Sequence, residues 1–424
     1  MQLLYYYHRK KHISDPFVRT VVQNDIRNLL VVPIRINQLL GTFPLSLNKS
    51  DLTLDKSWKS NLLVLICLLL QFNSPYLFSL AISKEDYEKM YTNYNKTAET
   101  TQTVINSLIN FIENICLLIF IRGRAKIQLF YSEFFESFVN LLEPCYKLGK
   151  QQEFNFPLRI SRLRKVLGMI FFFGVLNLGG TWFVAIGKGI AAGLGFQKVT
   201  LFAIASAYWT IMHHFRQLTC YFYICTIMCF QLSFKALGIL SSGEYDLNEK
   251  TPDQHRRIIW TMQTFQKLDG FVKGFHELFG IQLLSICIVI LLPILNSTFE
   301  ILNAFKAENF GGWELFALAS VLPHLVTLIL TFFILCDVST MVVHEATTCV
   351  TDFRSIKSID ELTEIQEKIR LFYISTLSNP PCICPGKFFT LGRHILPPAL
   401  GLMTTYLIVL QQFSLQEEAE RVSM

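Results

Sequence analysis

Residues 166–187 read VLGMIFFFGVLNLGGTWFVAIG. No charge interrupts the run, and at about twenty residues a helix is long enough to cross ~30 Å of hydrocarbon. Arg159, Arg162, Arg164 and Lys165 stand directly before it. A helix that is apolar on every face is either sealed inside a large protein or set in lipid. The basic collar favours lipid, because Lys and Arg gather at the cytoplasmic ends of spans. The stretch therefore reads as a membrane span entered from the inside.

Comparable blocks lie on both sides, at 61–82 and 102–121 before it and at 199–240, 280–296, 314–337 and 396–413 after it. Together they predict an all-α integral membrane protein with seven transmembrane helices. Composition agrees. The chain is 51% hydrophobic and only 17% charged, where a soluble domain carries roughly 25%. Its 424 residues would by length build about two or three soluble domains, but the gathering of apolar residues into long blocks excludes that division.

The formal charge of +6 is modest, and no basic run joins a nucleic-acid motif. No nucleic-acid partner is expected. The excess reads as facing membrane lipid. The 11 cysteines are scattered, mostly inside apolar blocks, where they act as small core residues rather than as a disulfide framework. The opening MQLLYYYHRKKH places a short apolar stretch before the charges, the reverse of a cleavable leader. The first span is then expected to serve as the insertion signal.

Orientation is read from Lys and Arg. Basic residues are more numerous in the segments expected inside, but those segments are also longer. The local signal decides: Arg122, Arg124 and Lys126 directly follow the second span, and the collar at 159–165 precedes the third. Both clusters are cytoplasmic if the N-terminus is inside. That orientation makes 1–60 a cytoplasmic segment, 61–413 the transmembrane domain and 414–424 a short extracellular tail. The inner portions at 241–278 and 338–389 become long cytoplasmic helical extensions. Within the first segment, 29–47 is apolar but broken by Pro33, Arg35 and Pro44, so it lies at the membrane surface or under the bundle. Residues 358–371 start with Ser358-x-x-Glu361, like a capping box, and carry Leu362, Ile365, Ile369 and Leu371 as one apolar stripe. The sequon at Asn95 falls in an outer loop and is a glycosylation candidate, while the one at Asn48 falls inside.

The last span reads LPPALGLMTTYLIVLQQF over 396–413. Pro397 and Pro398 suit a first helical turn, whose N–H groups lack partners anyway. Thr405, Val409 and Gln412 share one face at helical spacing. Polar side chains in a span should face a bundle interior or water. That face suits a wet lumen with one dry constriction, or a packing seam in which Thr and Gln bond across helices.

The pair Thr405-Tyr406, five mostly apolar residues and then Gln412-Phe413 resemble the signature of insect gustatory receptors, whose odorant-receptor relatives carry a looser form. Gln411 departs from the pattern, being polar where the family is usually apolar. Gly41-Thr42-Phe43-Pro44 before the first span, the short tail and the charged helix before the last span also look like that family. The resemblance implies a ligand-gated, nonselective cation channel in the plasma membrane of a sensory neuron's dendrite. A small tastant would open it. Four subunits, a homo- or heterotetramer with other gustatory receptors, would set the last helices around one pore gated at Val409, Gln412 and Phe413. Leu407 stands where the sugar-sensing branch often carries an acid, which tilts the reading toward bitter or other tastants.

Residues in the outer halves of the spans are candidates for the tastant pocket: Asn110 and Glu113, Asn177 and Trp182, Tyr208 and Trp209, and Ser320 and His324. A carboxylate in the bilayer is costly unless paired or wet, which singles out Glu113. For Trp182, Tyr208 and Trp209, anchoring at the membrane interface is the competing reading. His213, His214, Cys220, Cys225 and Cys229 do not converge on one face, so packing is expected there rather than a metal site. Cys382-Ile383-Cys384 lacks the partner pair of a zinc motif. No phosphate loop, nucleophile elbow or His-Glu metal helix occurs, so neither an enzyme nor a cofactor is expected. A seven-helix receptor coupled to a G protein is the alternative, predicting the opposite orientation. A transporter would show repeated halves with broken helices.

Overall fold

Long helices dominate the structure, a computed structural model that describes residues 16–39, 45–47, 54–56, 62, 96–242, 252–306, 312–354 and 363–423. Helix α1 is Pro16–Leu39. Two three-residue strands follow, β1 at Leu45–Leu47 and β2 at Leu54–Lys56. Then come α2 (Lys96–Lys147), the single turn α3 (Gln151–Phe154), α4 (Phe156–Ala191) and α5 (Phe196–Ser242). The chain continues with α6 (Pro252–Lys306), α7 (Gly312–Arg354), α8 (Thr363–Ser378) and α9 (Leu396–Ser423).

Five helices among the described residues are long and apolar enough to cross a membrane, which makes the chain a multi-pass membrane protein. The expected first span at 61–82 lies outside the described residues apart from Leu62, and so do Asn95, Asn48 and the Gly41-to-Pro44 pattern. The expected second span is the first half of α2.

The helices run well past the bilayer. At 55 residues, α6 is about 80 Å long on 1.5 Å per residue, more than twice the hydrocarbon thickness. Likewise α2 carries Arg122, Arg124 and Lys126 inside one continuous helix instead of ending before them. It stops at Gly149, whose φ of 71° is costly for residues with a Cβ. There the Gly149 N–H donates to Tyr146 O and the Lys150 N–H to Cys145 O, each at 3.0 Å, the paired bonds of a Schellman stop.

The long helices pack against one another through aromatic rings. From α2, Phe130, Tyr131, Phe134, Phe135 and Phe138 repeat at helical spacing and are all buried. They meet Phe222 and Phe230 of α5 and Phe271, Phe275 and Phe279 of α6. Phe134 and Phe230 have centroids 4.7 Å apart. The Tyr131 hydroxyl finds Thr226 Oγ1 at 3.0 Å, so its burial leaves no orphaned donor. Helix α5 is central, touching α1, α2, α4, α6 and α7.

Helix α1 decides between the two places offered to 29–47. Val22, Ile26, Leu29, Leu30 and Ile34 are buried in the main core, so it packs under the bundle. A short two-stranded ribbon accompanies the helices. Leu45 pairs antiparallel with Lys56, Ser46 with Asp55 and Leu47 with Leu54. Pro44 bars continuation of a helix, and the run Asn48-Lys49-Ser50-Asp51 between the strands is rich in turn formers. In α8 the buried side is Ile369, Phe372 and Thr376, while Leu371 is exposed. Leu371 lies two residues from Ile369, hence on the other side of the helix. The stripe proposed from sequence holds at Ile369 and fails at Leu371, and Leu362 and the Ile365 side chain lie outside the described residues.

Candidate pore helix and its anchorage

The approach to α9 is the chain between α8 and Leu396. Ile383 and Leu391 are buried, and the Leu391 N–H donates to Ile383 O. The Cys384 N–H donates to His276 Nε2 of α6 at 3.1 Å, which places that ring's proton on Nδ1 when it is neutral. A Cβ on Gly280 of α6 would come within 3.2 Å of the Gly386 nitrogen, so glycine permits this close seating.

Arg393 then ties the approach to α7. Its backbone N–H donates to Thr340 Oγ1 at 2.9 Å and its Nε to Asp337 Oδ1 at 2.6 Å. The same guanidinium pairs with Asp337 through its terminal nitrogen. Thr390 Oγ1 and His394 Nε2 lie 3.0 Å apart. The start of α9 is thus held on α6 and α7, whatever its far end does.

Beyond that anchor α9 is bare. None of the apolar window ending at Phe413 is buried inside the chain, whereas 72% of the window in α5 is. The contacts α9 does make lie on one strip. Leu396, Ala399 and Met403 pack on the core, and Leu407 and Leu410 are half-buried. At about 100° per residue, Thr405, Val409 and Gln412 fall on the side opposite that strip, and all three are exposed. Phe413, 55% exposed, lies beside them, and Tyr406 is also exposed. Thr405 and Thr404 satisfy their hydroxyls within the helix, donating to Gly401 O and Leu400 O. A helix with this much exposed apolar surface is disfavoured in bulk water. Lipid suits its apolar flanks, and Gln412 is the exposed residue of that face that hydrocarbon would penalise.

The pocket candidates are distributed differently. Asn177 of α4 is buried and accepts a hydrogen bond from Thr181 Oγ1 at 3.3 Å. Trp182 is half-exposed on the outer surface of α4, and is not brought to Asn177. His324 is half-buried on α7 next to Pro323, and its carbonyl accepts from Thr327 Oγ1. The side chains of Asn110, Glu113, Tyr208, Trp209 and Ser320 lie outside the described residues. No three His, Cys, Asp or Glu among the described residues gather as metal ligands.

One polar chain escaped the sequence reading. Arg159 of α4 donates to Gln231 of α5 at 3.0 Å, and Gln231 donates to Glu345 of α7 at 3.4 Å. Lys235 donates to the Glu153 carbonyl at 2.7 Å. Gln231 inside an apolar helix is its one signal, and nothing in the spacing says that it meets Arg159 and Glu345.

A family model described as 7tm chemosensory receptor matches residues 34–417 of the chain. The chain belongs to that family. This chemosensory receptor also resembles solved structures of the insect olfactory receptor OR5 from Machilis hrabei. With the complex holding eugenol the TM-score is 0.61 at 14% identity, covering 93% of this chain and 98% of the other. With a second structure of that receptor the TM-score is 0.59 at 14% identity, covering 91% and 98%. At that identity the likeness speaks for the receptor's fold. No curated protein matches the receptor.

Proposed function

We propose that this receptor is a gustatory receptor that acts as a ligand-gated, nonselective cation channel of the plasma membrane. Four subunits surround one pore lined by α9, and a small tastant bound in the outer half of the bundle opens it. The N-terminus is cytoplasmic in this reading, which the basic clusters at 122–126 and 159–165 support. The observation that carries the reading is the bare face of α9. Thr405, Val409 and Gln412 turn away from their own chain, and a central axis shared with other copies gives them both cover and water. The Thr-Tyr and Gln-Phe pairs on that helix support the gustatory branch, and Leu407 supports tastants other than sugars. That a solved relative holds eugenol supports a small organic ligand here, with Asn177, Trp182 and His324 as candidate contacts beside Asn110, Glu113, Tyr208, Trp209 and Ser320.

The test is electrical. Cells expressing this chain alone are screened against tastants, and inside-out patches are then excised into nucleotide-free solution. Ligand-evoked current that survives excision is expected. A response seen only in whole cells, and abolished by blocking G proteins, would replace the channel with the G-protein-coupled alternative.

A further inference from the structure

The neck of α4 carries a second feature that the pore does not use. A groove of about 530 Å³ opens there between α1 and α4. Asp25 and Asn28 of α1 line one wall, and Ser161, Arg164 and Lys165 of α4 line the other, over Ile160. Arg164 and Lys165 are exposed, and neither has an ion pair among the described residues. One carboxylate oxygen of Asp25 is engaged by the Tyr146 hydroxyl at 2.6 Å. Burial, then the facing carboxylate, push that phenol well above its usual range, so it stays a donor. The groove therefore presents two cations together with acceptors and donors suited to hydroxyl groups.

The surface continues in one direction only. At helical spacing the face of α4 that bears Arg164 and Lys165 goes on through Phe171, Phe172, Val175, Leu176, Trp182 and Phe183. Each of these is about half or more exposed. Only 22% of the span's apolar window is buried inside the chain. A polar, cationic groove at the membrane boundary thus leads onto an uncovered apolar track running into the bilayer.

We infer that this groove and track bind an anionic phospholipid with a phosphorylated, hydroxyl-rich headgroup. The phosphates meet Arg164 and Lys165, the ring hydroxyls meet Asp25, Asn28 and Ser161, and the acyl chains lie along the Phe171 face. Basic pockets beside spans at the cytoplasmic surface select such headgroups. The assignment to the inner leaflet rests on the orientation proposed above. Because α1 forms half the groove and also packs on α2 and α5, a bound headgroup clamps the N-terminal helix to the neck of α4.

The test uses full-length receptor purified in detergent. Binding of dioctanoyl phosphatidylinositol 4,5-bisphosphate is measured beside dioctanoyl phosphatidylserine and free inositol trisphosphate. The inositol lipid should bind saturably and most tightly. The double variant Arg164→Gln, Lys165→Gln should weaken it roughly thirtyfold, the product of two surface cations, while Arg370→Gln on α8 should not. Both substituted side chains are exposed, and an unchanged elution profile checks the fold. Undiminished binding in the double variant would overturn the site. Equal affinity for the free trisphosphate would overturn the lipid, and equal affinity for phosphatidylserine would overturn the hydroxyl-rich headgroup. A tag at Met1 that labels on intact cells, with lipid binding unchanged, would contradict the orientation and leave the site standing.

Discussion

Receptors carrying Val409→Ser or Phe413→Ser should pass current in the absence of any ligand, on the order of tenfold above the wild-type level. A closed apolar constriction excludes water because its lining offers no hydrogen bonds, and it conducts once wetted. Val409 and Phe413 sit next to each other on the bare side of α9. Around an axis every substitution is repeated in each subunit. A tenfold change needs only about 1.4 kcal/mol in total, which a hydroxyl in each copy readily supplies. Leu407→Ser is the control. It lies about 160° round the helix from Val409 and is half-buried on the side facing its own chain. Its ligand-free current should stay near the wild-type level. Gln412→Ala should change the relative permeability of cations more than it changes tastant sensitivity, because an amide contacts a passing cation without trapping it. If surface-expressed Val409→Ser and Phe413→Ser receptors are silent without ligand, the constriction is elsewhere.

The largest loss of stability is expected at Phe134. Its ring is fully buried and meets Phe230, Phe271, Phe135 and Phe138 from three helices. Truncating a buried Phe costs about 3–5 kcal/mol through lost burial and the cavity left behind. Phe134→Ala should therefore all but abolish surface expression and lower the melting temperature in detergent, with Phe134→Leu milder. Phe171→Ala is the contrast, since that ring is 68% exposed on the uncovered side of α4. It should express and melt like the wild type. If Phe134→Ala melts as Phe171→Ala does, the ring cluster is not a cohesive core of the bundle.

These two phenylalanines show what is legible in such a sequence. Both lie in apolar surroundings, and periodicity alone separates neither. Phe171 belongs to a charge-free block, so its membrane position is plain, while Phe134 belongs to a stretch of mixed polarity that reads only as helical. Hydropathy marks where a chain enters lipid, and it falls where the helix leaves lipid. The ends expected at 121 and 280 are not ends of the backbone helix, and α2 and α6 run straight through them. The ribbon at Leu45 and Leu54 is too short to leave a period.

At the site, the Thr405, Val409 and Gln412 stripe was readable because few polar residues interrupt the last span and helical spacing puts them together. The side of α9 that its own chain covers was not readable. It depends on Met403 and Ala399 meeting residues far away in sequence. The anchoring pair of Arg393 and Asp337 joins positions on different elements and is equally invisible before folding. The same holds for the chain from Arg159 through Gln231 to Glu345.

The decisive measurement is thiol modification of α9 during recording. Cys382 and Cys384, the half-exposed thiols among the described free cysteines, are first replaced by serine. Single cysteines are then placed at Gln412 and at Met403, and a charged methanethiosulfonate reagent is applied from outside while ligand holds the channels open. Gln412→Cys channels should lose their current irreversibly, and Met403→Cys channels, whose side chain packs on the bundle, should not. Current lost in Met403→Cys and untouched in Gln412→Cys would contradict the assignment of the bare face of α9 to the ion path.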